Sequence, residues 1–135
     1  MTKFTERNII ELSPQILAFI GDGVHTAFVR EWVLSKMPVP TMHRMHLAAS
    51  NGCKAATQSA VMEKLIAKDD GSFLKPDEIS IVMRARNAHT ANVPKGASIE
   101  EYHKATAFEA LLGYCYLLGR KERLDEFLAL SVDGN

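Results

Sequence analysis

The sequence has 135 residues, 47% hydrophobic and 24% charged, which is enough apolar material for one compact core and too little chain for two ordinary domains. Lys+Arg and Asp+Glu are both 16, for a formal net charge of +0, so overall charge directs the chain to neither nucleic acid nor an anionic membrane, and any such partner must be met by a local patch. Two cysteines without a Cys-x-x-Cys pair, an N-terminus without a signal-peptide core and no apolar run near the roughly 20 residues that span a bilayer exclude a disulfide scaffold, a structural zinc pattern and a membrane partner, and a cytoplasmic protein is expected.

Apolar residues return at three- and four-residue intervals, and Val, Ile and Thr are not gathered into short alternating runs, so the expected fold is all-α within a single domain spanning 1–135. Ser13 as N-cap and Pro14 at the first helical position open a helix to about Lys36, which Met37-Pro38-Val39-Pro40 must end. One or two helices follow from Met42 to about Ala67, with a bend expected at Ser50-Asn51-Gly52 and a turn at Asp69-Asp70-Gly71-Ser72. Pro76, followed by Asp77 and Glu78, begins a helix ending near Arg86. Asn87 to Gly96 reads as a loop. Ser98-Ile99-Glu100-Glu101 has the form of a capping box and starts a helix to about Leu118, closed by Gly119, after which Glu122 to Leu130 forms a short terminal helix.

Two acids fall where acids are unexpected. On the Pro14–Lys36 helix, Ala18, Val29 and Val33 lie on the side where Asp22 projects, so Asp22 is not expected on a solvated face. Gly21 and Gly23 flank it, each costing a helix interior up to about 1 kcal/mol relative to alanine. Either something must approach the carboxylate closely, or the glycines allow tight helix packing and Asp22 pairs with a buried Arg. Glu109 interrupts the apolar run Ala105 to Tyr114, with the small Ala105, Thr106 and Gly113 among its neighbours three and four positions away. A divalent cation shared by Asp22 and Glu109 would offset both burial penalties, and oxygen ligands without nearby His or Cys favour Mg²⁺ or Mn²⁺ over zinc.

Phe19-Ile20-Gly21-Asp22-Gly23-Val24 resembles the signature helix of ribonuclease III, and Phe108-Glu109-Ala110-Leu111-Leu112-Gly113 resembles its second acidic helix. Arg84-Ala85-Arg86-Asn87-Ala88, followed by Val93-Pro94-Lys95 and Tyr102 through Tyr116, is similar to the small branch called Mini-ribonuclease III, and the likeness extends from about Leu12 to Leu130. It implies a helical homodimer that cuts double-stranded RNA with Mg²⁺, or Mn²⁺ in its place, Asp22 and Glu109 being the catalytic and metal-binding acids. The branch's role implies the ends of precursor large-subunit (23S) ribosomal RNA as substrate. Larger members carry glutamates seven and four residues before the aspartate and an aspartate three before the second glutamate; here stand Gln15, Ala18 and Thr106, of which Gln15 and Thr106 are candidates to orient metal-bound water. With the sequence stopping at Asn135, no appended RNA-binding domain is expected.

RNA must then be held by local charge. No Asp or Glu occurs from Trp32 through Met62, where Arg44 and Lys54 lie, nor from Ile79 to Ile99, where Arg84, Arg86, His89 and Lys95 lie with Asn87; these seven are the candidate RNA contacts, suited to a duplex read by shape. Ordinary solvated faces are the alternative for each. His43-x-x-His46 has no third ligand nearby and reads as a surface pair, and Cys115 as core. Two rival functions remain: a catalytically silent helical RNA-binding or ribosome-assembly factor, which would gain nothing from keeping both acids near phosphate, and a nucleotide phosphohydrolase, which usually needs His-Asp pairs absent here.

Overall fold

Seven α-helices and one 3₁₀ turn, with no strand among the described residues, make up the computed structural model, which describes residues 4–88 and 98–132. The helices are α1 (Glu6–Ile10), α2 (Pro14–Lys36), α3 (Met42–Gly52), α4 (Ala55–Ala67), α5 (Pro76–Arg86), α6 (Ile99–Leu118) and α7 (Lys121–Val132). None of these is long and apolar enough to cross a membrane.

Helix α6 is the axis of the fold, packed against α2, α4 and α5. Phe108, Leu111, Leu112 and Tyr114 are fully buried, each contributing roughly 1.5–3 kcal/mol of apolar burial. A helix buried on nearly all sides is apolar all round, which is why Glu109 stands out in its sequence. Its start is set by the capping box of Ser98 and Glu101 and its end by Gly119 in the left-handed conformation at φ 75°. Tyr114, Phe108, Phe127, Leu17, Met62 and Leu65 belong to the main core, whereas Val29, Val33 and Ala49 form a second, smaller cluster between α2 and α3.

Local capping accounts for most boundaries. Ser13 Oγ accepts from the Ile16 N–H and Pro14 follows at the first position of α2, as expected. Helix α1, which the sequence reading lacked, is a single capped turn: Thr5 and Asn8 exchange side-chain and backbone bonds, and Ile9 anchors it in the core. The bend expected at Ser50-Asn51-Gly52 lies instead at Cys53 and Lys54, where Lys54 turns to φ −70°, ψ 146°. Gly52 ends α3 and is small for a packing reason, since a Cβ there would sit 2.9 Å from Val29 Cγ1. The terminal helix starts one residue earlier and ends two later than expected.

Helices α5 and α7 are joined by charge. Arg123 donates to both carboxylate oxygens of Glu78 at 2.7–3.1 Å, and Arg120 reaches Asp77 at 2.6 Å. Tyr114 donates to the same Asp77 Oδ2, at 2.8 Å. Arg84 donates to the carbonyls of Ile10 and Leu12 at 2.6 and 2.8 Å and so holds the end of α1 against α5.

Candidate active site

The site begins with two glycines. A Cβ on Gly21 would lie 1.7 Å from the Glu109 carbonyl oxygen, and one on Gly113 would lie 1.9 Å from that of Leu17. Both are impossible contacts, so α2 and α6 meet backbone to backbone and only glycine fits at either position. Asp22 follows Gly21 directly, and Glu109 is the residue whose carbonyl touches it. The crossing therefore brings the two acids close together, near enough for Asp22 to act on the Glu109 carboxyl.

Two carboxylates so placed cannot both be ionised without cost. Burial, followed by the hydrogen bond and negative charge of Asp22, pushes Glu109 up to about 8, against the opposing pull of the Gln58 amide. Among the described residues no Arg or Lys forms an ion pair with either acid. Glu109 is thereby shifted toward its protonated form. The donor set is hard carboxylate oxygen, which suits a divalent cation of the magnesium type.

Asp22 itself is exposed, contrary to the expectation of a covered face. Ala18 is buried in the main core, while Val29 and Val33 are buried in the second cluster. The turn carrying Asp22 lies between the two clusters, where the cover is interrupted. Of the two explanations for its glycines, helix packing holds for Gly21, whereas Gly23 faces open space.

Behind the acids lie two residues that the sequence reading passed over. Gln58, 4% exposed, places Nε2 3.3 Å from Glu109 Oε2 and 3.2 Å from His25 Nδ1. His25, 1% exposed, stands edge-on to the Phe108 ring with centroids 5.2 Å apart. Burial pushes its imidazole down to about 4, outweighing the pull of Asp22 in the other direction. A signal for each was present: His25 is one turn beyond Asp22, and Gln58 is three, four and seven residues before Val61, Met62 and Leu65, on the stripe α4 buries.

Other candidates are more dispersed. Gln15 is exposed two turns before Asp22 on the same side of α2. Thr106 directs its hydroxyl to the Tyr102 carbonyl at 2.9 Å, inside its own helix. Arg44 and Lys54 are exposed at the start of α3 and just before α4. Arg86 and Asn87 end α5, Arg86 close enough to act on Glu100. Arg84 is committed to the carbonyls noted above. His89 and Lys95 lie outside the described residues, as does most of the Asn87–Gly96 loop. His43 and His46 are exposed, and no group of three or more His, Cys, Asp or Glu is arranged to hold a metal among the described residues. Cys115 is core, its thiol pushed up to about 12 by burial.

A groove of about 490 Å³ whose lining includes Thr26, Arg30, His46 and Cys53 lies near the acids. Arg30 is the cation the sequence reading missed here. Cys53 feels its charge together with those of Asp22 and Glu109.

A family model described as Ribonuclease III domain matches residues 15–120. The chain is 33% identical to a Mini-ribonuclease 3 of Clostridium tetani over 97% of its own length and 83% of the relative's. It is 38% identical to one of Symbiobacterium thermophilum over 93% and 92%. A solved crystal structure of a Fusobacterium nucleatum protein superposes with a TM-score of 0.79 at 27% identity, covering 92% of this chain and 94% of that one.

Proposed function

This chain belongs to the ribonuclease III family and is an endoribonuclease of double-stranded RNA, and from that premise we propose that Asp22 and Glu109 together hold the Mg²⁺ on which cleavage depends. The observation that carries the reading is the pair itself: two carboxylates brought together at a glycine crossing, one raised to about 8, with no cationic side chain among the described residues in an ion pair with either. The chemistry such a cation supplies is polarisation of the scissile phosphate and acidification of an attacking water. Mg²⁺ bound by one or two carboxylates keeps its remaining positions for water and phosphate oxygens, so two acids are a sufficient protein contribution.

The protein's own part is to position. The Gly21–Gly113 crossing fixes the separation of the two backbones, and exposure of Asp22 leaves its carboxylate open to an approaching phosphate. Glu109 stays behind it, half-buried, where lower solvation strengthens its hold on a cation. Arg44, Lys54, Arg86, Asn87 and Arg30 are assigned to the RNA backbone, with His89 and Lys95 in the adjoining segment. Arg84 is left out because its guanidinium clamps α1. Precursor 23S ribosomal RNA is the proposed substrate, by likeness to relatives of the Mini-ribonuclease 3 name, and the cytoplasm the proposed site of action, where Cys53 and Cys115 remain free thiols.

A homodimer completes the proposal. Phe19 is 79% and Ile16 50% exposed, on the face of α2 that also carries a shallow hollow of Ile20, Gly23, Val24, Ala27 and Tyr116. Two copies facing each other across a two-fold axis would cover this apolar surface twice over. Incubation of the purified protein with duplex RNA and Mg²⁺, beside single-stranded RNA and nucleoside triphosphates, tests the function. Only the duplex should be cut, by wild type and not by Asp22→Asn. Cleavage of single strands or triphosphates in preference would overturn it, and an active monomer at micromolar concentration in sedimentation would overturn the dimer.

A further inference from the structure

We propose that Gln58, held in orientation by His25, is the positioning residue that presents Glu109 to the metal; the inference rests on the two-acid reading of the site. The three residues come from three helices, with one amide nitrogen between a ring nitrogen at 3.2 Å and a carboxylate oxygen at 3.3 Å. A primary amide carries two N–H donors, so Gln58 Nε2 serves both contacts at once provided both partners accept. Glu109 accepts when ionised. His25 Nδ1 accepts when the ring is neutral, as burial favours, and carries its proton on Nε2. With Glu109 ionised, as a metal ligand must be, reversing the amide would set its oxygen against two acceptors. The neutral imidazole therefore selects the orientation in which Gln58 donates to Glu109.

The consequence concerns the cation. A neutral donor steadies the ionised carboxylate and fixes its rotamer without bringing a positive charge that would compete with a metal, as Arg or Lys at position 58 would. It engages Oε2 and leaves the other oxygen of Glu109 outside that bond. The arrangement has a cost that a purely structural role does not explain. His25 is 1% exposed, and its Nε2 finds no hydrogen-bond partner among the described residues, a penalty that an apolar side chain there would avoid. A buried polar pair is thus retained against stability, and the carboxylate it reaches is the one assigned to the metal.

Mn²⁺ binding, followed by electron paramagnetic resonance on the full chain without RNA, tests this with Gln58→Met, which keeps length and loses the donor, and His25→Leu, which loses the acceptor. His25→Asn restores an acceptor at the place of Nδ1. The Mn²⁺ dissociation constant should rise about tenfold or more in Gln58→Met and His25→Leu and return to within about threefold of wild type in His25→Asn. Melting curves without metal establish that each variant folds, and the His25 pair decides the matter if Gln58→Met does not. Folded Gln58→Met or His25→Leu with wild-type Mn²⁺ affinity would overturn the proposal, as would His25→Asn binding no better than His25→Leu. Wild type failing to bind Mn²⁺, or binding it equally after Asp22→Asn, would instead overturn the two-acid reading and the inference with it.

Discussion

Glu78 and Glu109 are both glutamates drawn out of water, and they are treated in opposite ways. Glu78 on α5 is fully buried, and Arg123 donates to both of its oxygens while the Lys75 backbone N–H adds a bond at 2.8 Å. Its charge is matched, and nothing more can reach it. Glu109 on α6 receives one neutral amide at 3.3 Å and faces another acid. Both sit in helices that bury large apolar faces, so burial alone does not separate a structural acid from a chemical one. The difference lies in the partner: a guanidinium closes a carboxylate, whereas an amide and a second carboxylate leave it in need of a cation.

The largest effects follow from removing either kind of acid. Asp22→Asn and Glu109→Gln should each lower duplex cleavage at least about a thousandfold while the chain stays folded, and the double variant should be scarcely slower than either, because ligands of one ion act as a unit. Single-turnover kinetics with saturating RNA measure this. Glu78→Gln should do the reverse, destabilising the fold by about 3–5 kcal/mol in denaturant titration because Arg123 keeps a buried charge without its partner, with cleavage by the folded fraction retained.

Sequence reading reached one of these acids and not the other. Glu109 was conspicuous because it breaks an apolar run, and Asp22 because two glycines flank it, so the pair was legible once a likeness tied them together. Glu78 passed as an ordinary first-turn acid, since its partner Arg123 is 45 residues away and no local spacing signals a contact of that range. Gln58 and His25 were overlooked for the same reason, their meaning depending on three helices converging. Helix limits set by Ser13, Pro14, Ser98 and Gly119 were readable because caps are local chemistry. The α3–α4 break was misplaced because Gly52 answers to Val29 on another helix rather than to its own chain.

Smaller effects sharpen the contrast. In the metal-free protein Glu109 holds a proton up to about pH 8 that the unfolded chain releases near 4.5, so stability contributed by that proton is present at low pH and lost as pH rises toward 8. His25 acts the other way, its folded value of about 4 against 6.5 removing stability as pH falls below 6.5. Between pH 6.5 and 8 only the Glu109 effect operates among these two, and a decline of the order of 1–2 kcal/mol is expected. Glu109→Gln should flatten it, and Mg²⁺ should raise the melting temperature more at pH 8 than at pH 6. Thermal melts over that range check all three. The smallest effect concerns Arg86, whose removal to alanine should weaken binding of every duplex alike and flatten the log–log salt slope by about one unit or less. If Arg86 serves only to steady Glu100, the melting temperature falls and the salt slope stays unchanged.

The most direct measurement is a crystal of the protein soaked in Mn²⁺ and recorded at the manganese edge. An anomalous peak within about 2.0–2.3 Å of carboxylate oxygens from both Asp22 and Glu109, lost in the Asp22→Asn crystal, is the predicted result. A peak held by other residues, or no peak at the helix crossing in crystals of a protein that cleaves duplex RNA with Mn²⁺, would contradict it.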